Sequence, residues 1–177
     1  MTAAVQTAPL VPSFGDEDTG RKLAIICSKG NLDMAYPGLI LANAALGEGV
    51  ETHVFFTFWG FDMITTSRMH NLAFTPAGNT AMHVPGMHAR MPQALAPMPG
   101  VTAMATHMLK KQIADLGVPE VPELLDQIAA SGGHLWACRM SADMMKLTKG
   151  DLRDDVEGII SAADFIELTA GAQLLFV

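Results

Sequence analysis

The 177-residue chain has few cysteines, few aromatic residues and few basic residues, and each scarcity excludes a class of protein. Two cysteines are too few for a disulfide-stabilised scaffold. Eleven basic residues against 18 acidic ones give a formal net charge of −7, so clustered cations for a nucleic-acid backbone are missing. No apolar run reaches the roughly 18 residues of a membrane span, and no basic-then-apolar signal segment opens the chain. We expect a cytoplasmic protein without a nucleic-acid partner or a membrane span.

Half of the residues are hydrophobic, which is enough for one well-packed domain of this length. We assign residues 1–20 to a disordered N-terminal tail because they mix small, acidic and proline residues without periodicity. We assign residues 21–177 to a single domain.

Continuous apolar runs alternate with amphipathic segments along this domain. Such runs are typical of strands buried in a parallel sheet. Strands are predicted at 23–27, 51–59, 134–138 and 173–177, with the last strand also buried. Helices are predicted at 33–46, 61–70, 102–116, 121–131, 141–147 and 159–169. The alternation predicts an α/β fold, a three-layer αβα sandwich around a mostly parallel sheet.

Residues 73–100 contain five prolines and three glycines and show no strand alternation, so they are predicted to form a long Met/Pro-rich loop. Methionine and histidine suit soft metals such as Cu(I), but the spacing defines no geometry. Methionine also makes adaptable apolar contacts, which favours packing on a neighbouring subunit. The side chains open to either interpretation are Met82, His83, Met87, His88, Met91, Met98, His107 and Met108.

Cys138 is the strongest candidate for chemistry because it stands where a predicted strand ends and a helix begins. Ligand crevices of parallel sheets lie beyond the carboxyl ends of the strands, and a helix N-terminus favours thiolate over thiol. Cys138 is therefore a candidate catalytic nucleophile. The alternative is a buried cysteine that acts as a small hydrophobic residue. Arg139 follows it directly and is a candidate for lowering the thiol pKa, or a solvent-facing residue.

The loop after the first strand is expected at the same edge of the sheet. Its side chains and free amides suit an anion such as a persulfide, a phosphate or a carboxylate. Neither nucleotide-binding glycine motif is present, and Lys29 is equally explained as a surface residue. Cys27 is either a second thiol or a core residue. The candidate anion-binding or substrate-binding residues are Ser28, Lys29, Gly30, Asn31 and Arg139.

Five segments occur in an order that resembles one known family. They are Ser28-Lys29-Gly30-x-Leu32-Asp33-Met34-Ala35-Tyr36-Pro37, Phe55-Phe56-Thr57-Phe58-Trp59-Gly60, Pro76-x-Gly78-Asn79, Pro99-Gly100-x-x-x-Met104-Ala105-Thr106 and Ala137-Cys138-x-Met140-Ser141. Together they resemble the DsrE/DsrF/DsrH-like family of sulfur carrier proteins, in its DsrE2 and DsrE3 branch. The resemblance covers residues 21–177.

The resemblance implies a flavodoxin-like sandwich that assembles into oligomers, often trimers or hexamers. It implies a sulfurtransferase-like carrier that holds sulfane sulfur as a persulfide or thiosulfonate, with TusA-like or rhodanese-like proteins as partners and no cofactor. The family cysteine corresponds to Cys138, whereas relatives usually have an apolar residue at the position of Cys27. Alternatives are a module that binds a CoA-like or phosphorylated ligand, and soft-metal binding by the Met/His loop.

Overall fold

The computed structural model describes residues 20–83 and 90–177. Within these residues, five parallel strands form one sheet in the order β4-β3-β2-β1-β5. The strands are β1 (Lys22–Cys27), β2 (Glu51–Phe56), β3 (His134–Cys138), β4 (Val156–Ile160) and β5 (Gln173–Phe176). The parallel sheet and the helices between its strands confirm the predicted α/β class.

Five α-helices and four short 3₁₀ segments connect the strands within the described part of the chain. The α-helices are α1 (Leu32–Gly47), α2 (Val101–Asp115), α3 (Val121–Ala130), α4 (Arg139–Met145) and α5 (Ala162–Leu168). The 3₁₀ segments are Phe58–Met63, Met69–Asn71, Gln93–Leu95 and Lys149–Asp151. In the described ranges, no helix combines the length and the apolar character that crossing a bilayer requires.

The two faces of the sheet are covered by different helices. Side chains of a strand alternate between the faces, and Cys27 faces α1, where a Cβ on Gly38 would lie 3.0 Å from its Sγ. On the other face, the ring of Phe55 stacks on Phe165 of α5, with 4.4 Å between centroids. The connections from β1 through β4 move across the sheet in one direction, whereas the connection from β4 to β5 moves in the other direction. A right-handed crossover therefore places α5 on the face of the sheet opposite to α1.

Strand β2 ends three residues earlier than predicted, at Phe56 rather than Trp59. Phe58 adopts a positive φ of 45°, which an extended strand does not allow. The chain turns there into the 3₁₀ segment Phe58–Met63, and a second such segment, Met69–Asn71, follows in place of the predicted helix at 61–70. The apolar run at 51–59 therefore extends past the end of β2 into a turn that lies outside the sheet.

The predicted helix at 159–169 is wrong in its first part. Ile159 and Ile160 belong to β4, which pairs with β3 and was not predicted as a strand. Helix α5 begins only after Ser161, whose hydroxyl accepts a hydrogen bond from the backbone N–H of Asp164. This capping box fixes the start of the helix and separates it from the strand.

The last strand is correctly predicted in position, but it is not buried. β5 pairs with β1 at the edge of the sheet, and the exposed fractions of Leu174 and Phe176 are 56% and 67%. The edge position explains the exposure, since helices cover the central strands of such a sheet first.

Two predicted segments fall wholly or partly outside the described residues. The predicted tail lies there except for residue 20, and so do residues 84–89 of the Met/Pro-rich loop. The described remainder of that loop contains turns and the short 3₁₀ segment Gln93–Leu95, which agrees with the prediction that it lacks long regular elements.

Candidate functional site

Cys138 is the last residue of β3 and the N-cap residue of α4. Its backbone is extended (φ −74°, ψ 122°), and its partner on the neighbouring strand β4 is Ile160. The residue is 4% exposed, and its thiol is not in a disulfide. The sequence prediction of a thiol at a strand-to-helix junction is therefore confirmed in its geometry.

A turn that follows β2 lies against the first turn of α4. The backbone N–H of Phe58 donates to Oγ of Ser141 over 2.8 Å, and Oγ1 of Thr57 lies 3.2 Å from the same oxygen. Since Phe56 pairs with Ala137, the next position along each strand places Thr57 beside Cys138. Three of these residues, Thr57, Phe58 and Ser141, were not predicted as site residues.

The turn after β2 is also pressed against the end of β1. The N–H of Thr57 donates to the carbonyl of Cys27 over 3.0 Å. A Cβ on Gly60 would lie 2.2 Å from that carbonyl oxygen, and a Cβ on Gly30 would lie 2.2 Å from the carbonyl oxygen of Trp59. Glycine is required at both positions because two backbones meet there.

The loop after β1 divides into two parts. Ser28 binds the end of the chain, with its N–H and its hydroxyl both donating to the carbonyl of Val177 over 2.9 Å. The next three residues line an open cleft of about 640 Å³. Its lining includes Lys29, Gly30, Asn31, Trp59, Asp62 and Arg68. The structure thus separates Ser28 from Lys29, Gly30 and Asn31.

The cleft carries two cationic side chains and one exposed aromatic ring. Lys29 is exposed, and Arg68 donates to Asp62 over 3.0 Å. Trp59 is 62% exposed. Asn31 donates instead to Asp33, over 2.8 Å, within the first turn of α1. Cys138 is not among the residues that line this cleft.

Cys27 lies in the core, where it is 1% exposed. Burial raises the pKa of its thiol to about 12, so the protonated form is favoured. It pairs with Phe56, which pairs with Ala137, so its side chain leaves the sheet on the face opposite to that of Cys138. The structure does not bring the two thiols together.

Arg139 is directed away from the cleft. Its guanidinium donates to the carbonyl of Ile159 over 2.7 Å. It also lowers the pKa of Asp164, after the larger effect of the hydrogen bonds from Ser161. Arg139 thus links α4 to β4 and α5, and its sequence-predicted contact with a bound anion stays a prediction.

Soft-metal binding by the Met/His-rich segment, which rests on methionine as well as histidine, stays a prediction. In residues 20–83 and 90–177, no group of three or more His, Cys, Asp or Glu side chains is arranged to hold a metal ion. Met87 and His88, which belonged to the soft-metal hypothesis, lie outside the described residues.

The signal that would have identified Ser141 is its spacing from Cys138. A serine three residues after an N-cap residue lies in the first turn of the helix, on the side that faces the preceding loop. Phe58, which contacts Ser141, is more than 80 residues away in sequence, so the spacing between Cys138 and Ser141 does not identify Phe58 as the partner.

Comparison with known proteins places the chain among relatives of similar length. The Sulfur carrier protein DsrE2 of Allochromatium vinosum is 38% identical over 146 residues, which cover 82% of this chain and 91% of that protein. The protein YrkE of Bacillus subtilis is 26% identical over 162 residues, 89% of this chain and 97% of its own.

A solved structure is also similar. The crystal structure of the ychN protein from E. coli matches 89% of this chain and 99% of its own, with 12% identity and a TM-score of 0.48. Finally, residues 19–176 match the model of the DsrE/DsrF/DrsH-like family. The chain belongs to the DsrE/DsrF/DrsH-like family.

Proposed function

We propose that this chain is a sulfur carrier and that Cys138 is the residue that holds the sulfur. The observation that carries the proposal is the position of Cys138 at the carboxyl end of β3, directly before α4. The other cysteine, Cys27, packs against α1, and burial raises the pKa of its thiol. The similarity to a sulfur carrier over most of the chain supports this choice of chemistry.

The loading step is an attack of the Cys138 thiolate on the outer sulfur of a persulfide donor, R–S–SH. A new S–S bond forms on Cys138, the S–S bond of the donor breaks, and the donor leaves as the thiolate R–S⁻. No external oxidant is needed, because the sulfane sulfur is transferred at its existing oxidation level. Unloading repeats the exchange with an acceptor thiolate, so the chain is consumed stoichiometrically until a partner removes the sulfur.

The burial of Cys138 suits a carrier better than an enzyme with rapid turnover. A persulfide is itself reactive toward thiols, and a site that is 4% exposed limits collisions with small reductants. A partner protein then gains access by docking near the site. Exposed apolar side chains are available for such contacts at Trp59 and Met140, which are 62% and 60% exposed. TusA-like or rhodanese-like proteins are the partners we propose.

A homo-oligomer, a trimer or a hexamer, is part of the proposal. Leu174 and Phe176 of β5 pair with Ala24 and Ile26, so their side chains lie on the sheet face that carries α5. Both are more than half exposed, and Ile166 on α5 is 55% exposed. Exposed apolar side chains grouped on one face are typical of a contact surface, and a second copy of this chain is the occupant we propose.

The two cysteines allow a matched test of the sulfur site. Wild type, Cys138→Ser and Cys27→Ala are each incubated with thiosulfate, polysulfide or glutathione persulfide, and intact mass and peptide maps are recorded. We expect wild type and Cys27→Ala to gain a reducible adduct of about 32 Da per sulfur atom, mapped to Cys138, and Cys138→Ser to gain none. Loading of Cys138→Ser at the wild-type level would contradict the proposal.

The cleft beside Lys29 favours a second candidate function, the binding of a phosphorylated or CoA-like ligand. Lys29 and Arg68 supply positive charge, and the exposed ring of Trp59 supplies a stacking surface. Its test is the thermal unfolding midpoint of Cys138→Ser with and without coenzyme A. A rise that Lys29→Ala abolishes would support ligand binding. No shift together with sulfur loading of wild type would favour the carrier.

A further inference from the structure

The turn after β2 contains a residue in an unfavourable conformation. Phe58 has a φ of 45°, in the left-handed region that residues with a Cβ rarely adopt. Lys146 is the other described non-glycine residue with a positive φ. Such conformations persist where surrounding contacts hold them, and they often occur near functional sites.

One hydroxyl connects this turn to the helix that follows Cys138. Oγ of Ser141 accepts a hydrogen bond from the N–H of Phe58 over 2.8 Å and lies 3.2 Å from Oγ1 of Thr57. Ser141 is 0% exposed and Thr57 is 8% exposed, so water does not readily replace these bonds. From the other side, the carbonyl of Cys27 contacts Gly60 and fixes the turn against β1.

This contact lies beside the sulfur site. Cys138 is the N-cap residue of α4 and Ser141 is in its first turn. The register places Thr57 next to Cys138 on the β2 side, while Ile160 lies on the β4 side. Thr57 and Ile160 are therefore the two neighbours of Cys138 within the sheet.

We propose that Ser141 is a positioning residue that holds the turn at residues 57–60 closed beside Cys138 and thereby sets the access of other molecules to the thiol. Without its hydroxyl, the N–H of Phe58 loses its partner, Phe58 relaxes from its left-handed conformation, and the turn moves away from α4. The biological meaning of the inference rests on the proposed sulfur carrier, but the access of the thiol is measurable without any sulfur donor.

The experiment measures alkylation of the two thiols by iodoacetamide under native conditions, with rates from peptide mapping. Ser141→Ala is expected to raise the rate at Cys138 about tenfold, the effect of losing one buried hydrogen bond. Ser141→Thr keeps the hydroxyl and is expected to return the rate to near that of wild type. Ser141→Ala/Phe58→Gly is expected to be slower than Ser141→Ala, since glycine adopts a positive φ without strain.

Cys27 serves as an internal control for general unfolding. It is 1% exposed on the other face of the sheet, so local opening of the turn leaves its alkylation rate unchanged. An unchanged rate at Cys138 in Ser141→Ala would overturn the inference, and so would a parallel rise at Cys27. A double variant as fast as Ser141→Ala would also overturn it.

A second variant tests the same idea without disturbing Ser141. Phe58→Gly alone removes the strain of the closed turn, so the alkylation rate of Cys138 is expected to fall below that of wild type; a rise would overturn the inference.

These alkylation results are independent of sulfur loading. Wild type that gains no adduct from any donor refutes the carrier proposal, whereas wild type that loads while Ser141→Ala alkylates normally refutes only the role of Ser141.

Discussion

Cys27 and Cys138 end two strands that are separated by β2, and their side chains leave the sheet on opposite faces. The register shows this directly, because Cys27 pairs with Phe56 and Phe56 pairs with Ala137, the residue before Cys138. A disulfide requires the two Cα atoms to lie within about 7 Å, whereas two strands separated by a third are about 10 Å apart. The chain therefore has two buried thiols on opposite faces of the sheet, one at the junction of β3 and α4 and one against α1.

Oxidation is accordingly expected to leave the two cysteines unlinked. Treatment of the native protein with diamide, followed by non-reducing peptide mapping, should yield no peptide that joins Cys27 to Cys138. The same treatment after unfolding in urea serves as the positive control, since the free chain permits the bond. Formation of a disulfide between Cys27 and Cys138 in the native protein would show that the strands separate or rearrange.

The buried thiol of Cys27 makes stability depend on alkaline pH. Burial raises its pKa from 9.0 to about 12 in the folded chain, so the unfolded chain releases this proton first. The free energy of unfolding should therefore fall as the pH rises above 9.0 and stop falling near 12. Between pH 8 and pH 10 the contribution of this thiol amounts to about 1 kcal/mol.

Urea unfolding of wild type and Cys27→Ala at the two pH values isolates this effect. Lysine and tyrosine residues titrate in both proteins, so only the difference between the two pH dependences reports on Cys27. Wild type should lose about 1 kcal/mol more than Cys27→Ala. Equal losses would mean that the thiol is accessible to base in the folded chain.

Gly60 should tolerate no side chain, because its α-carbon lies against the backbone of β1. An added Cβ would be 2.2 Å from the carbonyl oxygen of Cys27, and a backbone atom cannot move aside easily. We expect Gly60→Ala to lower the free energy of unfolding by about 3 kcal/mol. Gly47→Ala at the end of α1 is the control, since nothing lies within 4 Å of its added Cβ. That variant should change stability by less than about 1 kcal/mol in chemical denaturation.

The sequence predicts the strands and helices whose apolar patterns are uninterrupted. Strands β1 and β3 and helices α1, α2 and α3 occur within two residues of their predicted bounds, because each has a clear apolar pattern and a glycine or proline near one of its two ends. β4 was missed because Glu157 and Gly158 interrupt its apolar run, and Ile159 and Ile160 merge with the pattern of the following helix. The serine cap at Ser161 was the available signal that separates them.

The candidate site also has features that local sequence predicts and features that depend on tertiary contacts. The position of Cys138 at a strand-to-helix junction follows from local sequence, whereas the contact between Ser141 and Phe58 joins residues 83 positions apart. The positive φ of Phe58 has no local signal, since glycine or asparagine is the residue expected there. Ser28 and Arg139 carry suitable chemical groups, but each donates to a backbone carbonyl elsewhere in the sheet region. Tertiary contacts of this kind decide which polar residues remain available to a ligand.

A hydrogen bond between Trp136 and His53 should fix the proton of this histidine. Nε1–H of Trp136 donates to Nδ1 of His53 over 3.3 Å, and indole has no acceptor, so Nδ1 carries no proton. The proton therefore lies on Nε2, which is 2.9 Å from Oε1 of Glu51. The ring of His134 stacks on the imidazole ring of His53, with 4.6 Å between the two centroids. Nitrogen NMR of the histidine side chains should show a single Nε2–H tautomer for His53.

Replacing the indole tests this assignment, and the second tryptophan of the chain provides the control. Trp136→Phe removes the donor, so Nδ1 of His53, a residue that is 3% exposed, loses its partner. The free energy of unfolding should fall by about 1 kcal/mol beyond the loss of packing, and the single-tautomer signal should weaken. Trp59→Phe, at a ring that is 62% exposed, should leave that signal intact. A tautomer unchanged in Trp136→Phe would mean that Glu51 alone fixes the proton of His53, because its carboxylate accepts from Nε2 whether or not the indole is present.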